Sequence, residues 1–381
     1  MIPYGRQHID DTDIAAVCEV LRSDWLTQGP AIPRFEAALA ELCGARHALA
    51  ANNATAALHL ACLALEIGPG DLVWTSPNTF VASANCARYC GADVDFVDID
   101  SATLNISVAR LAAKFEQAER LGRLPKLLIP VHFAGQPCAM AEIAALARRY
   151  GCRIVEDASH AVGARYRNVP IGACTHSDIA VFSFHPVKII TTGEGGMLLT
   201  NDDRLAEKIA LFRSHGITRD PAAMSGASEG AWYYQQIALG YNYRMTDLQA
   251  ALGTSQLQRL PAFLSRRIAL ARRYGELLAH LPVTLAAQSS ESVSAWHLFV
   301  IRVAAQRRRQ VFDDMRAAGI GVNVHYIPVH LQPDYRRLGF APGDFPEAER
   351  YYSEAITLPL HPGLTEAEQD AIVAALERAL Q

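Results

Sequence analysis

The sequence of 381 residues lacks the features that mark membrane, nucleic-acid-binding and secreted proteins. No apolar run reaches the roughly 18 residues that a membrane-spanning helix needs, and the opening MIPYGRQHIDD has no apolar signal core. The 35 basic residues form no extended tract and are balanced by 39 acidic ones, which argues against nucleic acid and anionic membranes as partners. We therefore expect a cytoplasmic protein with neither kind of partner.

The eight cysteines offer neither a zinc site nor a disulfide framework. No two of them form a CxxC pair, and most stand among Ala, Leu and Val, as small buried apolar residues do. Cys86 and Cys90 are one helical turn apart, but no second pair completes a zinc site. We expect free thiols in a reducing compartment and no bound metal.

The composition predicts a folded α/β protein with two domains. Half of the residues are hydrophobic and 19% are charged, which is enough apolar material for a sizeable core. The length suits a large domain, 1–250, and a smaller one, 251–381. Apolar runs alternate with helical patterns in the first part, which predicts a mostly parallel sheet between layers of helices. The predicted strands are 73–75, 94–97, 127–131, 154–155, 179–182 and 197–199, followed in an α+β region by 296–303 and 321–324.

One stretch, FSFHPVKIITTGEGG at 182–196, places a single lysine between two buried segments. The run 179–182 predicts a buried strand, a second apolar run resumes at Met197, and Lys188 lies in the loop between them. Loss of hydration there disfavours the ammonium form, so the neutral amine that attacks an aldehyde becomes easier to populate. Taken alone, such a lysine is more often a surface residue, and the case for chemistry rests on its neighbours.

Two further features suit a site for pyridoxal phosphate. Asp157 ends the apolar segment RIVED, and ligands of open α/β sheets bind beyond the carboxyl ends of the strands. The cofactor needs a lysine for its aldehyde, a carboxylate for its pyridine nitrogen and donors for its phosphate. The segment 52–60 has polar cap candidates before an Ala/Leu-rich run, which predicts a helix start suited to that phosphate. Together, the three features predict a pyridoxal phosphate site.

Four segments resemble the DegT/StrS family of pyridoxal-phosphate sugar aminotransferases. They are WLTQGP at 25–30, EDASHAVGA at 156–164, FSFHPVKIITTGEGG at 182–196 and GYNYRM at 240–245, and the likeness runs from residue 2 to the C-terminus. It implies an α/β protein of fold type I, with a mostly parallel sheet in the large domain and a smaller C-terminal α+β domain. It also implies a homodimer with shared active sites.

The resemblance assigns roles to the candidate cofactor residues. Lys188 would bond to the cofactor aldehyde and then move the proton during transamination, and Asp157 would face the pyridine nitrogen. Thr55 and Ala56 match the phosphate-binding helix start, and an N-cap role for Thr55 is compatible because both roles use the same free amides. Phe80 matches an aromatic residue that stacks on the cofactor ring, and His160 matches a residue beside the phenolic oxygen of that ring. Ser183 matches a hydroxyl that binds the phosphate, and Asn242 matches a residue that reaches the phosphate of the neighbouring subunit.

Further residues match segments that line the sugar site in similar enzymes. Arg244 is a candidate for the nucleotide diphosphate, to which a guanidinium donates two parallel hydrogen bonds, or it pairs at the surface. His325 and His330 are five residues apart, but no carboxylate or cysteine accompanies them at the spacing of a metal site. The substrate-binding candidates are Tyr4, Thr27, Gln28, His185, Arg244, His325, Tyr326 and His330.

Within the family, IPYGRQ at 2–7 and HPVKIITTGEGG at 185–196 are most similar to the pseudaminic-acid branch. That likeness implies transfer of an amino group from L-glutamate to C4 of UDP-2-acetamido-2,6-dideoxy-β-L-arabino-hexos-4-ulose. Another UDP-4-keto sugar is the alternative, such as the UDP-4-keto-pentose of lipid A modification or the epimeric 4-keto hexose. A sugar dehydratase is disfavoured by Lys188, because similar dehydratases carry histidine there. A non-catalytic regulator is disfavoured because no DNA-binding or sensor extension is recognisable.

Overall fold

The computed structural model describes residues 1–381 and contains a seven-stranded main sheet flanked by helices. The strands are β1 (His47–Ala51), β2 (Leu72–Thr75), β3 (Asp93–Phe96), β4 (Leu127–Ile129), β5 (Arg153–Asp157), β6 (Arg165–Tyr166), β7 (Val169–Pro170), β8 (Ile179–Ser183), β9 (Gly196–Thr200), β10 (Ile217–Thr218), β11 (Gln235–Gln236), β12 (Thr284–Leu285), β13 (Ser292–Val293), β14 (Phe299–Arg302) and β15 (Ala355–Leu358). The helices are α1 (Asp11–Leu21), α2 (Ala31–Cys43), α3 (Ala54–Ala64), α4 (Ala82–Tyr89), α5 (Val108–Arg120), α6 (Met140–Arg149), α7 (Asp203–Arg213), α8 (Asp247–Gln258), α9 (Leu260–Leu277), α10 (Ala305–Ala317), α11 (Pro333–Arg336), α12 (Pro346–Glu354) and α13 (Glu366–Leu380).

The main sheet has the strand order β1-β9-β8-β5-β4-β2-β3. Neighbouring strands from β3 to β8 in this order are parallel, whereas β9 is antiparallel to both β8 and β1. The predicted mostly parallel α/β sheet is therefore confirmed. Parallel strands have their carboxyl ends at one edge of the sheet, so the ends of β5 and β8 bring Asp157 and the segment after Ser183 close together.

Both faces of the main sheet are covered, and its central strands are therefore apolar on both sides. Every residue of β4, β8 and β9 is buried, as expected for continuous apolar runs in a covered sheet. Val181 and Leu198 belong to the core that includes α3 and α7. Phe182 and Met197 point to the other core, with α2 and α6. The loop between β8 and β9 is thus held at both ends by strands that are packed on two faces.

A smaller antiparallel sheet, β12-β14-β15, supports the C-terminal part of the chain. Side chains of α9, α10 and α13 pack in its core. The N-terminal residues join this part, because Ile2 bridges to Ile320 and the amide of Leu360 donates to the carbonyl of Tyr4 at 3.0 Å. Helix α8, in contrast, packs against α1 and α2. The division at residue 250 stays a prediction, and residues 2–4 and α8 both make contacts across it.

Three strand predictions differ from the structure. Residues 321–324 form no strand, because the Gly321 amide donates to the carbonyl of Ile2 and only Asn323 makes a bridge, to Thr357. The predicted strand 296–303 is shortened to β14, because Trp296 has a left-handed φ of 48° that ends the extended conformation. Strand β1 is absent from the sequence-based prediction because HALAA is rich in alanine, a weak strand former.

The segment 216–240 is a long loop, as the sequence predicts, with one short hairpin of β10 and β11. Trp232 and Leu239 in this loop are 72% and 77% exposed. None of the thirteen helices has the length and apolar character that crossing a membrane demands.

Candidate active site

A cavity of about 410 Å³ lies at the carboxyl ends of β5 and β8, between the start of α3 and the segment 323–326. It brings together residues from both ends of the chain, from Tyr4 to Tyr326. The sequence-predicted site residues that line it are Tyr4, Thr55, Phe80, Asp157, His160, Ser183, His185, Lys188, His325 and Tyr326. We therefore take this cavity as the candidate site for the predicted cofactor.

Lys188 reaches the cavity from the loop between β8 and β9. The loop is closed on itself, because the Phe184 amide donates to the carbonyl of Gly195 and the Lys188 amide donates to that of His185, both at 2.9 Å. Burial lowers the pKa of Lys188 to about 8, and attraction to the carboxylate of Asp157 partly opposes this shift. Neutral amine is thus available near physiological pH, as an attack on an aldehyde requires.

Asp157 is the last residue of β5, and its carboxylate is fixed by two donors. The Ser83 hydroxyl donates to Oδ2 at 2.5 Å, and the amide of Ser159 donates to Oδ1 at 3.1 Å. Asp157 is only 4% exposed, and it still lines the cavity. A carboxylate held in this way presents a fixed negative charge to a protonated pyridine nitrogen.

The start of α3 offers an anion site made of free backbone amides. The amides of Ala54 and Thr55 have no hydrogen-bond partner in the chain, whereas that of Ala56 donates to Asn53 Oδ1 at 2.8 Å. Asn53 caps the helix and uses the Ala56 amide, and the predicted phosphate contact of Ala56 stays a prediction. Gly196 lets β9 approach closely here, because a Cβ would lie 2.7 Å from the Asn53 carbonyl.

Three histidines and Tyr326 form the wall beside Lys188. His160 Nε2 lies 3.1 Å from the Tyr326 hydroxyl, and His325 Nδ1 lies 2.9 Å from the Thr357 hydroxyl. Burial, followed by repulsion from Lys188, lowers the pKa of His325 to about 3 and that of His160 well below its ordinary value. The third histidine, His297, has its pKa lowered by burial in the same direction. These imidazoles are neutral at physiological pH and leave Lys188 as the cavity's basic side chain.

The chemistry of these donors fits pyridoxal phosphate. Lys188 suits its aldehyde, Asp157 its pyridine nitrogen, and the free amides of α3 with the nearby Ser183 hydroxyl suit its phosphate. The Nδ1 atom of His160 is buried without a hydrogen-bond partner, so one polar atom of this wall has no bond within the chain. Phe80 also lines this cavity and is 57% exposed.

Several predicted residues lie outside this cavity. His330 is fully buried, its Nε2 lies 2.9 Å from Glu349 Oε1, and its ring packs on Phe345. The ring also lies against Phe96 of β3, and the predicted substrate contact of His330 stays a prediction. The other four residues are at or near the surface beyond the cavity lining: Thr27, Gln28, Asn242 and Arg244.

Sequence reasoning missed seven polar residues of the site, among them Thr79 and Ser159, which line the cavity next to the predicted Phe80 and His160. Asn53 was seen only as a member of a polar cap segment, and Ser83 lies in an unremarkable helix. Neither has a pattern that points to the cavity: Asn53 caps its own helix through the Ala56 amide, and Ser83 donates to Asp157, which is distant in the sequence. The remaining three line the cavity from the glycine turn and from the C-terminal part: Glu194, His297 and Asn323.

Comparison with known proteins gives one consistent result. The model of the DegT/DnrJ/EryC1/StrS aminotransferase family matches residues 7–377. The spore coat polysaccharide biosynthesis protein SpsC of Bacillus subtilis is 40% identical over 382 residues, covering 98% of this chain and 96% of that protein. The putative sugar aminotransferase Spr1654 from Streptococcus pneumoniae, in its PMP form, has a TM-score of 0.90 at 30% identity, covering 100% of this chain and 99% of that one. Helicobacter pylori PseC, an aminotransferase involved in the biosynthesis of pseudoaminic acid, has a TM-score of 0.90 at 31% identity with the same coverage.

Proposed function

Because this chain belongs to the DegT/DnrJ/EryC1/StrS aminotransferase family and is a pyridoxal-phosphate-dependent aminotransferase, we propose that it aminates a UDP-linked keto sugar. The substrate is UDP-2-acetamido-2,6-dideoxy-β-L-arabino-hexos-4-ulose, L-glutamate is the donor, and the product is the 4-amino sugar of pseudaminic acid biosynthesis. The similarity to PseC over the whole chain supports this choice of sugar. The observation that carries the transamination is the meeting of Lys188 and Asp157 in one cavity.

The residues of the cavity have two roles, which are proton transfer and the stabilisation of charge. When bound, pyridoxal phosphate supplies the aldehyde that accepts the amino group and the ring that accepts electrons. Lys188 Nζ takes a proton from the α-carbon of the amino donor and later delivers a proton to C4 of the sugar. Asp157 holds the proton on the pyridine nitrogen, and the amides of Ala54 and Thr55 hold the phosphate. Neutral His160 and His325 add no charge that would compete with Lys188.

The substrate is tested by supplying the enzyme with L-glutamate and defined UDP-4-keto sugars, one at a time. We expect rapid amination of the β-L-arabino-hexos-4-ulose, with the configuration at C4 of the product determined by NMR. Faster turnover of the UDP-4-keto-pentose or of the epimeric hexose would replace the proposed sugar by that alternative. Release of a deoxygenated sugar without amination would contradict the transfer itself.

We further propose that the active enzyme is a homodimer in which each site uses residues of both chains. No arginine lines the cavity of one chain, although a nucleotide diphosphate and a cofactor phosphate both call for cations. Exposed Asn242, and Arg244 with its buried and unpaired Nε, follow the loop that displays Trp232 and Leu239. These features support a contact through which Asn242 reaches the partner's phosphate and Arg244 the nucleotide.

Mixed dimers test this arrangement. Lys188→Ala and Asn242→Ala chains are each expected to have little activity alone. In a mixed dimer, one site lacks both groups and the other site is whole. Random exchange makes about half of the dimers mixed, so roughly a quarter of the wild-type activity should return. Proven mixed dimers without recovery, or a fully active Asn242→Ala homodimer, would show that the sites are not shared in this way.

We also propose that the enzyme works in the cytoplasm. All eight cysteines are free in the structure, and five of them are buried. Free thiols suit a reducing compartment. Fractionation of the producing cells, with the activity followed in each fraction, tests this location.

A further inference from the structure

His297 lines the cavity, but neither the sequence motifs nor the proposed mechanism uses it. Its side chain is buried beside His160, with the two ring centroids 4.4 Å apart and the planes tilted by 42°. The Nδ1 atom of His297 is buried and has no hydrogen-bond partner. The Nε2 atom also has no partner in the chain but is not buried, and since the residue lines the cavity, Nε2 faces it. His160 differs, because its Nε2 is already used by Tyr326.

The backbone of His297 is held by a buried cation. Arg267 is fully buried, pairs with no carboxylate, and donates through Nη1 to the carbonyls of Trp296, His297 and Leu360 at 3.1, 3.3 and 3.0 Å. Gly135 closes the other side, because a Cβ there would lie 2.9 Å from the His297 amide nitrogen and 3.0 Å from the carbonyl oxygen of His160. The backbone that carries the imidazole is thus held on both sides.

The surroundings also select which nitrogen of His297 carries the proton. The ring is neutral, since burial and the neighbouring His160, Lys188 and Arg267 lower its pKa well below the ordinary value. A neutral imidazole has one N–H donor and one acceptor nitrogen. Buried N–H groups without an acceptor are rarer than buried acceptors without a donor. The favoured tautomer therefore buries the Nδ1 lone pair and directs Nε2–H into the cavity.

We propose that His297 is a substrate-binding residue, whose Nε2–H donates a hydrogen bond to an oxygen of the substrate at the Lys188 end of the cavity. The inference rests on the proposed transamination, because both substrates then occupy this cavity in turn. The acceptor is a carboxylate oxygen in the amino donor or an oxygen substituent beside the keto group in the sugar. Both sources share the same chemistry, an oxygen acceptor close to the reacting carbon, and the two half-reactions separate them.

Three variants test whether the N–H donor of His297 or its aromatic ring is required. His297→Gln keeps an N–H donor near the position of Nε2, His297→Asn keeps polar atoms only near Nδ1, and His297→Phe keeps the ring packed on His160. We expect the Asn and Phe variants to lose about 10- to 100-fold in kcat/KM for at least one half-reaction, and the Gln variant to recover most of it. His361→Phe is the matched control, because His361 is also buried with an unpaired Nε2 but lies outside the cavity lining.

The half-reactions are measured separately. The reaction with L-glutamate is followed by the absorbance of the cofactor and needs no sugar, whereas the second half-reaction uses the keto sugar and enzyme already loaded with the amino group. The affinity of the apoenzyme for pyridoxal phosphate and the melting temperature are measured for every variant, and we expect both to stay near the wild-type values.

Two results would overturn the inference. Wild-type kinetics of His297→Phe in both half-reactions would show that no substrate oxygen depends on Nε2–H. Equal losses in the Gln, Asn and Phe variants would show that the imidazole shape, and not its donor, is required. A wrong choice of sugar is recognised separately, because it leaves the wild-type enzyme inactive in the second half-reaction but active with L-glutamate. If L-glutamate does not react with the wild-type enzyme, another amino acid that lowers the absorbance of its cofactor is used for the same comparison.

Discussion

Glu156 and Asp157 are neighbours on β5, yet their carboxylates lie on opposite faces of the main sheet and have different partners. Glu156 is buried in the core, where Oε2 lies 2.7 Å from His132 Nε2 and Oε1 accepts from the hydroxyl of Ser177. Asp157 faces the cavity, held by Ser83 and by the amide of Ser159, and attracts Lys188. The hydrogen bonds of one carboxylate are thus saturated inside the protein, whereas the other carboxylate remains available to a ligand.

The charge states of the basic partners reflect this difference. Nδ1 of His132 accepts from the amide of Cys138 at 3.0 Å, so the single ring proton lies on Nε2 and is donated to Glu156. Burial dominates at Lys188 and lowers its pKa to about 8, because Asp157 compensates only in part. The core pair is therefore fully hydrogen-bonded and has no proton to release, whereas the pair in the cavity can release one. Comparing the two pairs shows that Glu156 and His132, whose hydrogen bonds are complete, contribute to stability. Asp157 and Lys188, whose bonding is incomplete, serve reactivity.

Lys188→Ala removes the reactive partner, and we expect the largest effect from it. Turnover should fall by at least about 10⁴-fold, because the covalent step and the proton transfer both depend on Nζ. The melting temperature should stay unchanged, which Lys208→Ala, an exposed control, calibrates. Formation of 2-oxoglutarate from L-glutamate at a near wild-type rate would remove Lys188 from the mechanism.

Asp157→Asn keeps the shape of the side chain and removes its charge. The half-reaction with L-glutamate should slow by about 10²- to 10³-fold, because the proton on the pyridine nitrogen loses its counter-charge. Cofactor should still bind through its phosphate, and stopped-flow absorbance measures the rate. Asp203→Asn on exposed α7 is the control. An unchanged rate would mean that another acid faces the ring nitrogen.

Glu156→Gln makes the matching change in the core pair and should act on stability instead of on the chemical step. A neutral amide cannot match the charge-assisted hydrogen bonds that Glu156 accepts from His132 and Ser177, so the free energy of unfolding should drop by about 2 kcal/mol. Denaturant titration measures the loss, and the rate of the folded variant should remain close to that of the wild type. A second substitution, His132→Gln, should cost less in the Glu156→Gln background than in the wild type, because the bond between the two side chains is already weakened.

The same pair gives the wild-type protein a pH-dependent stability. The pKa of Glu156 is lowered by His132 and Ser177 despite burial, so its contribution is present above about pH 4.5 and is lost as the pH falls. The difference in unfolding free energy between wild type and Glu156→Gln should therefore shrink as the pH falls from about 6 to about 4, which denaturant titration at each pH measures.

The smallest expected effect is the pH dependence of the Lys188 amine. In the apoenzyme, covalent capture of a small neutral aldehyde should rise roughly fivefold from pH 7 to pH 8 and less than twofold from pH 8 to pH 9, since only the neutral amine attacks. Trapping with a mild hydride reductant and mass spectrometry measure the rate, with Lys188→Ala as the blank. A constant tenfold rise over both intervals would indicate an ordinary, unshifted lysine.

Much of the fold follows from local patterns in the sequence. Apolar runs such as IAVFS predict buried strands, and their alternation with helical patterns predicts the parallel sheet that the structure contains. The exceptions depend on distant contacts. Residues 321–324 look extended, but the Gly321 amide bonds to Ile2, more than 300 positions away. The segment HALAA becomes a strand only because β9 lies beside it.

The site, like the fold, depends partly on local sequence patterns and partly on distant contacts. The sequence by itself determined which chemistry is present, because a lysine after a buried strand, an aspartate at a strand end and a polar helix start are properties of contiguous residues. Only the tertiary structure decided which groups are free to act. Ser83 fixes the carboxylate of Asp157, Glu349 contacts the ring of His330, and Arg267 holds the backbone of His297. The physical reason is that burial and hydrogen-bond saturation depend on neighbours brought together by folding, which no single segment specifies.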